Sequence, residues 1–234
     1  MKLSTLNSKF NFLAVGQNAK TVKGDDENTL TAIVYLAPNT ISGYDTCSHA
    51  SKGCIESCLF TAGRGAMPNV WKARVRKTKL FFEDQPEFLK QLNEDLTLFS
   101  SYCVSNDIQG YVRLNGTSDI KWEDHINFNE YSPLKFYDYT KNPDRDIKKF
   151  SNYSLTFSRH ENHTDEDISN AITSDMNVAV VFETVPVVWK DYTVIEGDLS
   201  DLRAVDPKGV IVGLKAKGRA RSDLSGFVVR LANT

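Results

Sequence analysis

The chain has 234 residues, 41% of them hydrophobic and 25% charged, which is the profile of one ordinary folded domain with a core of its own. A formal net charge of −2 excludes a global field that would gather nucleic acid or membrane, so any polyanion site has to be a local patch. No apolar run reaches the ~18–20 residues of a membrane span, and Met1–Phe12 lacks the apolar stretch of a signal peptide. The expected address is therefore the cytoplasm, with the four cysteines reduced.

In chain order, the first predicted strand is Leu30–Ala37, rich in Val, Ile and Tyr. A cysteine-bearing loop follows, and then a long helical region over Asn69–Asn106. Pro86 there sits at a favoured first helical position, and Phe88, Leu89, Leu92, Leu96 and Phe99 keep the spacing of a buried stripe. Next come strands at Tyr111–Asn115, Leu134–Thr140, Tyr153–Arg159, Asn177–Glu183, Tyr192–Glu196, Gly209–Lys215 and Gly226–Leu231. Shorter helices are expected over Asp119–Tyr131 and over Asp165–Thr173, the latter capped by Thr164. Strands that are apolar on successive residues, such as Val178–Phe182, suit parallel strands covered on both faces.

Alternation with helices then predicts an α/β domain spanning 1–234, built as an incomplete or distorted (β/α)8-type barrel with mostly parallel strands; an open α/β sheet is the second choice. The ten residues from Ala216 to Ser225 fit a hairpin as well as a crossover.

Polar residues recur where these strands finish. In parallel folds the carboxyl ends converge on one rim, and ligands bind there. That places Arg113, Asn115, Lys141, Ser158, Arg159, Lys215 and Lys217 as candidates for holding an anionic substrate. Asp119, Tyr139, Glu183 and Asp198 are candidate catalytic groups. Arg113 lies inside an otherwise apolar strand and needs an acceptor, for which Asp119 is expected across the turn Gly116–Ser118.

Cys47, Cys54 and Cys58 have the spacing C-x6-C-x3-C after the first strand. Three thiolates leave one position open on an iron–sulfur centre or on zinc, with His49 a possible fourth ligand on zinc; the alternative is reduced thiols packed in a tight loop, or a pair capable of a disulfide. Cys103 ends an apolar helix and reads as core. Basic residues cluster twice. One group is Arg64, Lys72, Arg74, Arg76, Lys77 and Lys79; the other is Lys215, Lys217, Arg219 and Arg221. Both are solvated faces or phosphate-binding patches, for nucleotides or nucleic acid.

From Asn18–Gly24 onward, the motifs LAPNTISGYDTC, GCIESCLFTAGRG, PNVWKARVRKT, RLNGTSDIKWE, FYDYTKNPDR, LTFSRHEN, NVAVVFET and GLKAKGRAR resemble small bacteriophage proteins of the gene product eighty-eight family. The resemblance implies a phage protein acting in the host cytoplasm; relatives are labelled as of unknown function or as replication-initiation proteins. The cysteine-first layout is also similar to radical S-adenosylmethionine barrels. The spacing departs from their C-x3-C-x2-C, and no Gly-Gly-Glu motif is present.

Three functions follow as expectations. The first is a phage-type accessory enzyme with a three-cysteine metal or iron–sulfur site acting on a phosphate-bearing substrate. The second is a DNA-binding or DNA-nicking replication protein using Tyr137 or Tyr139, although Glu161 and Asn162 separate His160 from His163 where nickases carry His-hydrophobic-His. The third is a non-enzymatic protein that binds a host factor.

Overall fold

The structure, a computed structural model, describes residues 3–16, 28–61 and 63–231. The motif Asn18–Gly24 and the side chain of Arg64 lie outside what is described. Helix α1 (Leu3–Asn7) and strand β1 (Leu13–Val15) precede β2 (Thr29–Val34). The cysteine loop holds the short α2 (Lys52–Glu56) and runs into α3 (Pro68–Glu83) and α4 (Gln85–Ser105). Then follow β3 (Gln109–Arg113), β4 (Leu134–Thr140), β5 (Tyr153–Ser158), α5 (Asp165–Thr173), β6 (Asn177–Phe182), β7 (Val188–Trp189), β8 (Tyr192–Glu196), β9 (Ile211–Lys215) and β10 (Val228–Val229).

All strands join one sheet in the order β1-β2-β3-β4-β5-β6-β9-β8-β7, with β10 also on β6. From β2 to β8 every pairing is parallel, whereas β1 and β7 are antiparallel to their neighbours and form the edges. The sheet is thus mixed and open, the second of the two expected architectures, and no barrel closes.

Period-two alternation divides the sheet into two faces. Val112, Phe136, Leu155, Phe157, Val178 and Val180 face the α4 stripe of Phe88, Leu92, Leu96 and Phe99 in the main core. On the other face, Tyr111 and Tyr137 pack with Leu202, from a loop that follows β8. At its amino end β6 pairs with β5, Ser158 lying opposite Ala179; two residues further on, Val181 pairs instead with Val228 of β10. β10 is therefore inserted where β5 ends, and Ala216–Ser225 is a crossover, not a hairpin.

Two local expectations change. Asp119–Tyr131 forms only the 3-10 turns Trp122–Asp124 and Phe128–Tyr131. Asn115 explains this: its Oδ1 accepts from Ser118 Oγ, Ile120 N and Trp122 Nε1, and its Nδ2 donates to Ile120 O, so the turn's backbone bonds to a side chain and not to a helix. The first strand stops at Val34, three residues early, because Ala37 N turns to Thr78 Oγ1 of α3. Helix α5 has its expected bounds, with Thr164 and Asp167 forming a reciprocal capping box.

Candidate functional site

The cysteine loop is tied down at both ends. Thr46 Oγ1 donates to Ala37 O at 2.7 Å, and the Asp119 amide donates to Thr46 O at 2.8 Å. The Asn39 amide donates to Cys47 Sγ at 3.4 Å, and the Phe60 amide bonds to Cys58. Ser51 caps α2, which carries Cys54. Glu161, just beyond β5, accepts from Ser51 Oγ at 2.6 Å and from the Gly53 amide at 2.8 Å. Packing there is so close that a Cβ at position 53 would lie 2.2 Å from Ser225 Oγ and 2.8 Å from the Glu161 carboxylate, so the loop needs glycine.

Lys141, at the end of β4, faces this loop. Its Nζ donates to Ser158 Oγ at 3.0 Å, and its amide donates to Asp119 Oδ2 at 2.8 Å. Burial alone would lower its pKa, but Cys54, Asp119, Cys47 and Cys58 around the ammonium raise it above the ordinary lysine value. Burial pushes the Cys47 thiol up to about 11 and raises Cys58 as well. Cys47 and Cys58 are therefore held neutral at neutral pH, which leaves Asp119 as the carboxylate acting on the Lys141 ammonium, beyond ion-pair distance.

Arg74 of α3 is a second cation beside Cys58. Its Nε and Nη1 are buried without a hydrogen-bond partner, and the guanidinium lies 4.8 Å from the Tyr35 ring centroid. Neither Lys141 nor Arg74 forms an ion pair with a carboxylate among the described residues.

His160 and His163 stack at 3.5 Å between ring centroids. His163 Nδ1 accepts from the His160 amide, His160 Nδ1 accepts from the Asn162 amide, and the rings also bond to the backbones of Lys141 and His49 respectively. Burial, then the neighbouring imidazole, lowers His163 to about 4; burial, then Lys141, lowers His160. The pair is a neutral clamp joining the cysteine loop to β4.

The remaining predicted residues also stand at strand ends, but their side chains belong to separate networks. Arg113 pairs with Asp201 at 2.8 Å, not with Asp119, and stacks 4.7 Å above the Tyr139 ring. Tyr137 and Tyr139 are enclosed there, and burial, followed by Asp201, raises both phenols. Asp198 accepts from Lys217 Nζ at 2.5 Å and from the Lys215 amide at 3.0 Å. Glu183 is exposed and pairs with Arg230 at 3.2 Å. Arg159 donates to Gly226 O and Phe227 O, fastening the inserted β10. Asn115 builds its turn, as described above.

Cys47, Cys54, Cys58, Asp119, Lys141 and Ser158 are thus the predicted residues that share one site. Cys103 lies apart in the core. His49 Nδ1 is 3.1 Å from Ser48 Oγ. Among the described residues no three His, Cys, Asp or Glu side chains form a group able to hold a metal ion.

Sequence reading missed Arg74, hidden in a charge run, and Glu161, His160 and His163, whose segment carries no metal spacing. It also missed Arg145, which pairs with Glu123 at 2.5 Å and lies 3.6 Å from Asp119. Asp138 was missed as well: burial pushes it up to about 7 while it accepts from Asn115 N and Tyr153 Oη. None has a motif; only a buried polar residue in an apolar strand, as at Asp138, could have pointed to one.

No helix among the described residues is long and apolar enough to cross a membrane. No curated protein and no solved structure matches the chain, and the likeness to radical S-adenosylmethionine enzymes has no counterpart among the matches. One family model, described as Gene product 88, matches residues 8–231. With nearly its whole length covered, the chain belongs to the phage Gene product 88 family.

Proposed function

We propose that this protein is a phage accessory enzyme that takes a phosphate-bearing substrate at the carboxyl ends of β2 to β5, beside Cys47, Cys54 and Cys58. The observation that carries this reading is the pair Lys141 and Arg74, two desolvated cations that form no ion pair with a carboxylate among the described residues, both close to Cys58. Desolvating a cation without a counter-ion is costly, and an anionic ligand would supply the missing charge. Ser158 orients the ammonium, and Asp119, held by the Lys141 amide and beside Arg145, is the candidate acid–base group of the site. Tyr139, Glu183 and Asp198 are engaged elsewhere and have structural roles in this reading.

The cysteines support a metal or iron–sulfur centre by their chemistry, since two of the sulfurs accept backbone amides and cations stand ready to balance thiolates. Their present spacing does not fit it, because no preformed three-donor group exists among the described residues. No step is therefore assigned to a metal, and S-adenosylmethionine has no support.

Anaerobic purification with iron and zinc analysis and a visible spectrum tests the cysteine part. Bound metal that is lost in Cys54→Ser would establish a centre formed by closure of the loop. Metal-free protein after reconstitution, with three titratable thiols in the loop, would reduce the site to an anion pocket lined by thiols.

A further inference from the structure

Helix α3 carries five cations, Lys72, Arg74, Arg76, Lys77 and Lys79, against one acid, Glu83, in a protein of net charge −2. They divide by direction. Arg74 and Lys77 turn inward, Lys77 donating to Phe12 O at 3.0 Å. Lys72, Arg76 and Lys79 are exposed and have no ion pair among the described residues. Their i, i+4, i+7 spacing puts them on one stripe ~10 Å long.

The three cations line a groove of about 430 Å³ together with Trp71, Val75 and Leu80, and Glu83 stands at its carboxyl end. Trp71 is 40% exposed, whereas Trp122 and Trp189 are 0% and 8% exposed. Trp71, Val75 and Leu80 form a contiguous apolar strip beside unpaired cations, and a contiguous strip of that kind marks an interaction site more than a singly exposed side chain does. The turn Gly218–Ser222, with exposed Arg219 and Arg221, packs against Leu59–Thr61 of the cysteine loop. The segments Leu59–Thr61 and Gly63–Ala66 of that loop thus adjoin both this basic turn and α3.

We infer that this stripe of α3, continued by Arg219 and Arg221, is a track for single-stranded nucleic acid. Unpaired cations at successive helical turns match a chain of phosphates, and an exposed indole in an apolar groove offers a stacking platform for an unpaired base. A duplex hides its base faces and would leave Trp71 unused; an acidic peptide has no π face to present. The track is separate from the pocket of Lys141 and Arg74, and neither proposal needs the other.

The test is fluorescence anisotropy of a labelled fifteen-nucleotide oligothymidylate at several salt concentrations, together with quenching of tryptophan emission. Binding should weaken steeply with salt. The triple variant Lys72→Ala, Arg76→Ala, Lys79→Ala should lower affinity at least ~10-fold and flatten the salt slope. Trp71→Ala should lower affinity roughly 10-fold, and Trp71→Phe should abolish the quenching while retaining most of the binding. Lys148→Ala with Lys149→Ala, an exposed pair elsewhere, should change nothing. Absence of binding at low salt would overturn the inference. So would equal affinity for a duplex or polyglutamate, or indifference to the triple variant in protein with an unchanged circular dichroism spectrum.

Discussion

Arg145 and Arg74 both withdraw a guanidinium from water, and the protein treats them in opposite ways. Arg145 holds the Glu123 carboxylate with two nitrogens, at 2.5 Å each, donates to Tyr153 Oη at 2.9 Å and has Asp119 at 3.6 Å. That network is drawn from β5 and from the connections before and after β4, and the Arg145 charge is met there by carboxylates of the protein itself. Arg74 has only the Tyr35 ring beneath it and the neutral Cys58 nearby, and Lys141 has a serine hydroxyl, with Asp119 beyond ion-pair distance. A fold able to neutralise one buried cation so thoroughly has left two unneutralised at the mouth of the cysteine loop. That contrast separates scaffold from site better than charge alone does.

The largest effect should come from the scaffold. Arg145→Ala strands Glu123 and should destabilise the protein by about 3–5 kcal/mol in urea unfolding, whereas Arg145→Met with Glu123→Leu should recover much of the loss. A single-variant loss below ~1 kcal/mol would erase the distinction.

The histidine clamp should show itself in pH. His163 titrates at about 4 in the folded protein, against 6.5 for an ordinary histidine. Between those values the unfolded chain binds more protons, so stability should fall as pH is lowered from 6.5 to 4. His163→Asn should flatten melting temperature against pH in that window; an unchanged profile would show that the clamp does not titrate.

The smallest stability effects should come from the site itself. Lys141→Met and Arg74→Met should each cost less than ~1 kcal/mol, since neither removes an ion pair. A loss as large as that of Arg145→Ala would mean that these cations are structural after all.

Much of the scaffold was legible in the sequence because its signals are local. Runs of Val, Ile, Tyr and Phe marked all the longer strands, and Thr164–Asp167 marked the start of α5. β1 and β7, three and two residues long, offer too short a pattern. The crossover before β10 depends on a gap between β5 and β6 that no local pattern encodes.

For the site, strand ends brought Lys141, Ser158 and Asp119 to the cysteines, since parallel topology alone sets that convergence. Arg113 was misassigned because its partner, Asp201, arrives from a loop beyond β8. Arg74 could not be told from Lys72 or Arg76 by sequence, because only packing against Tyr35 and Cys58 turns it inward.

The most direct measurement is isothermal titration of reduced, anaerobically prepared protein with inorganic pyrophosphate, for the wild type and for Lys141→Met and Arg74→Met. The wild type should bind saturably at one site, and each variant should bind roughly tenfold or more weakly while folding stability is retained. Wild-type protein that binds no pyrophosphate, or variants that bind it as well as the wild type does, would contradict the assignment of Lys141 and Arg74 as an anion site.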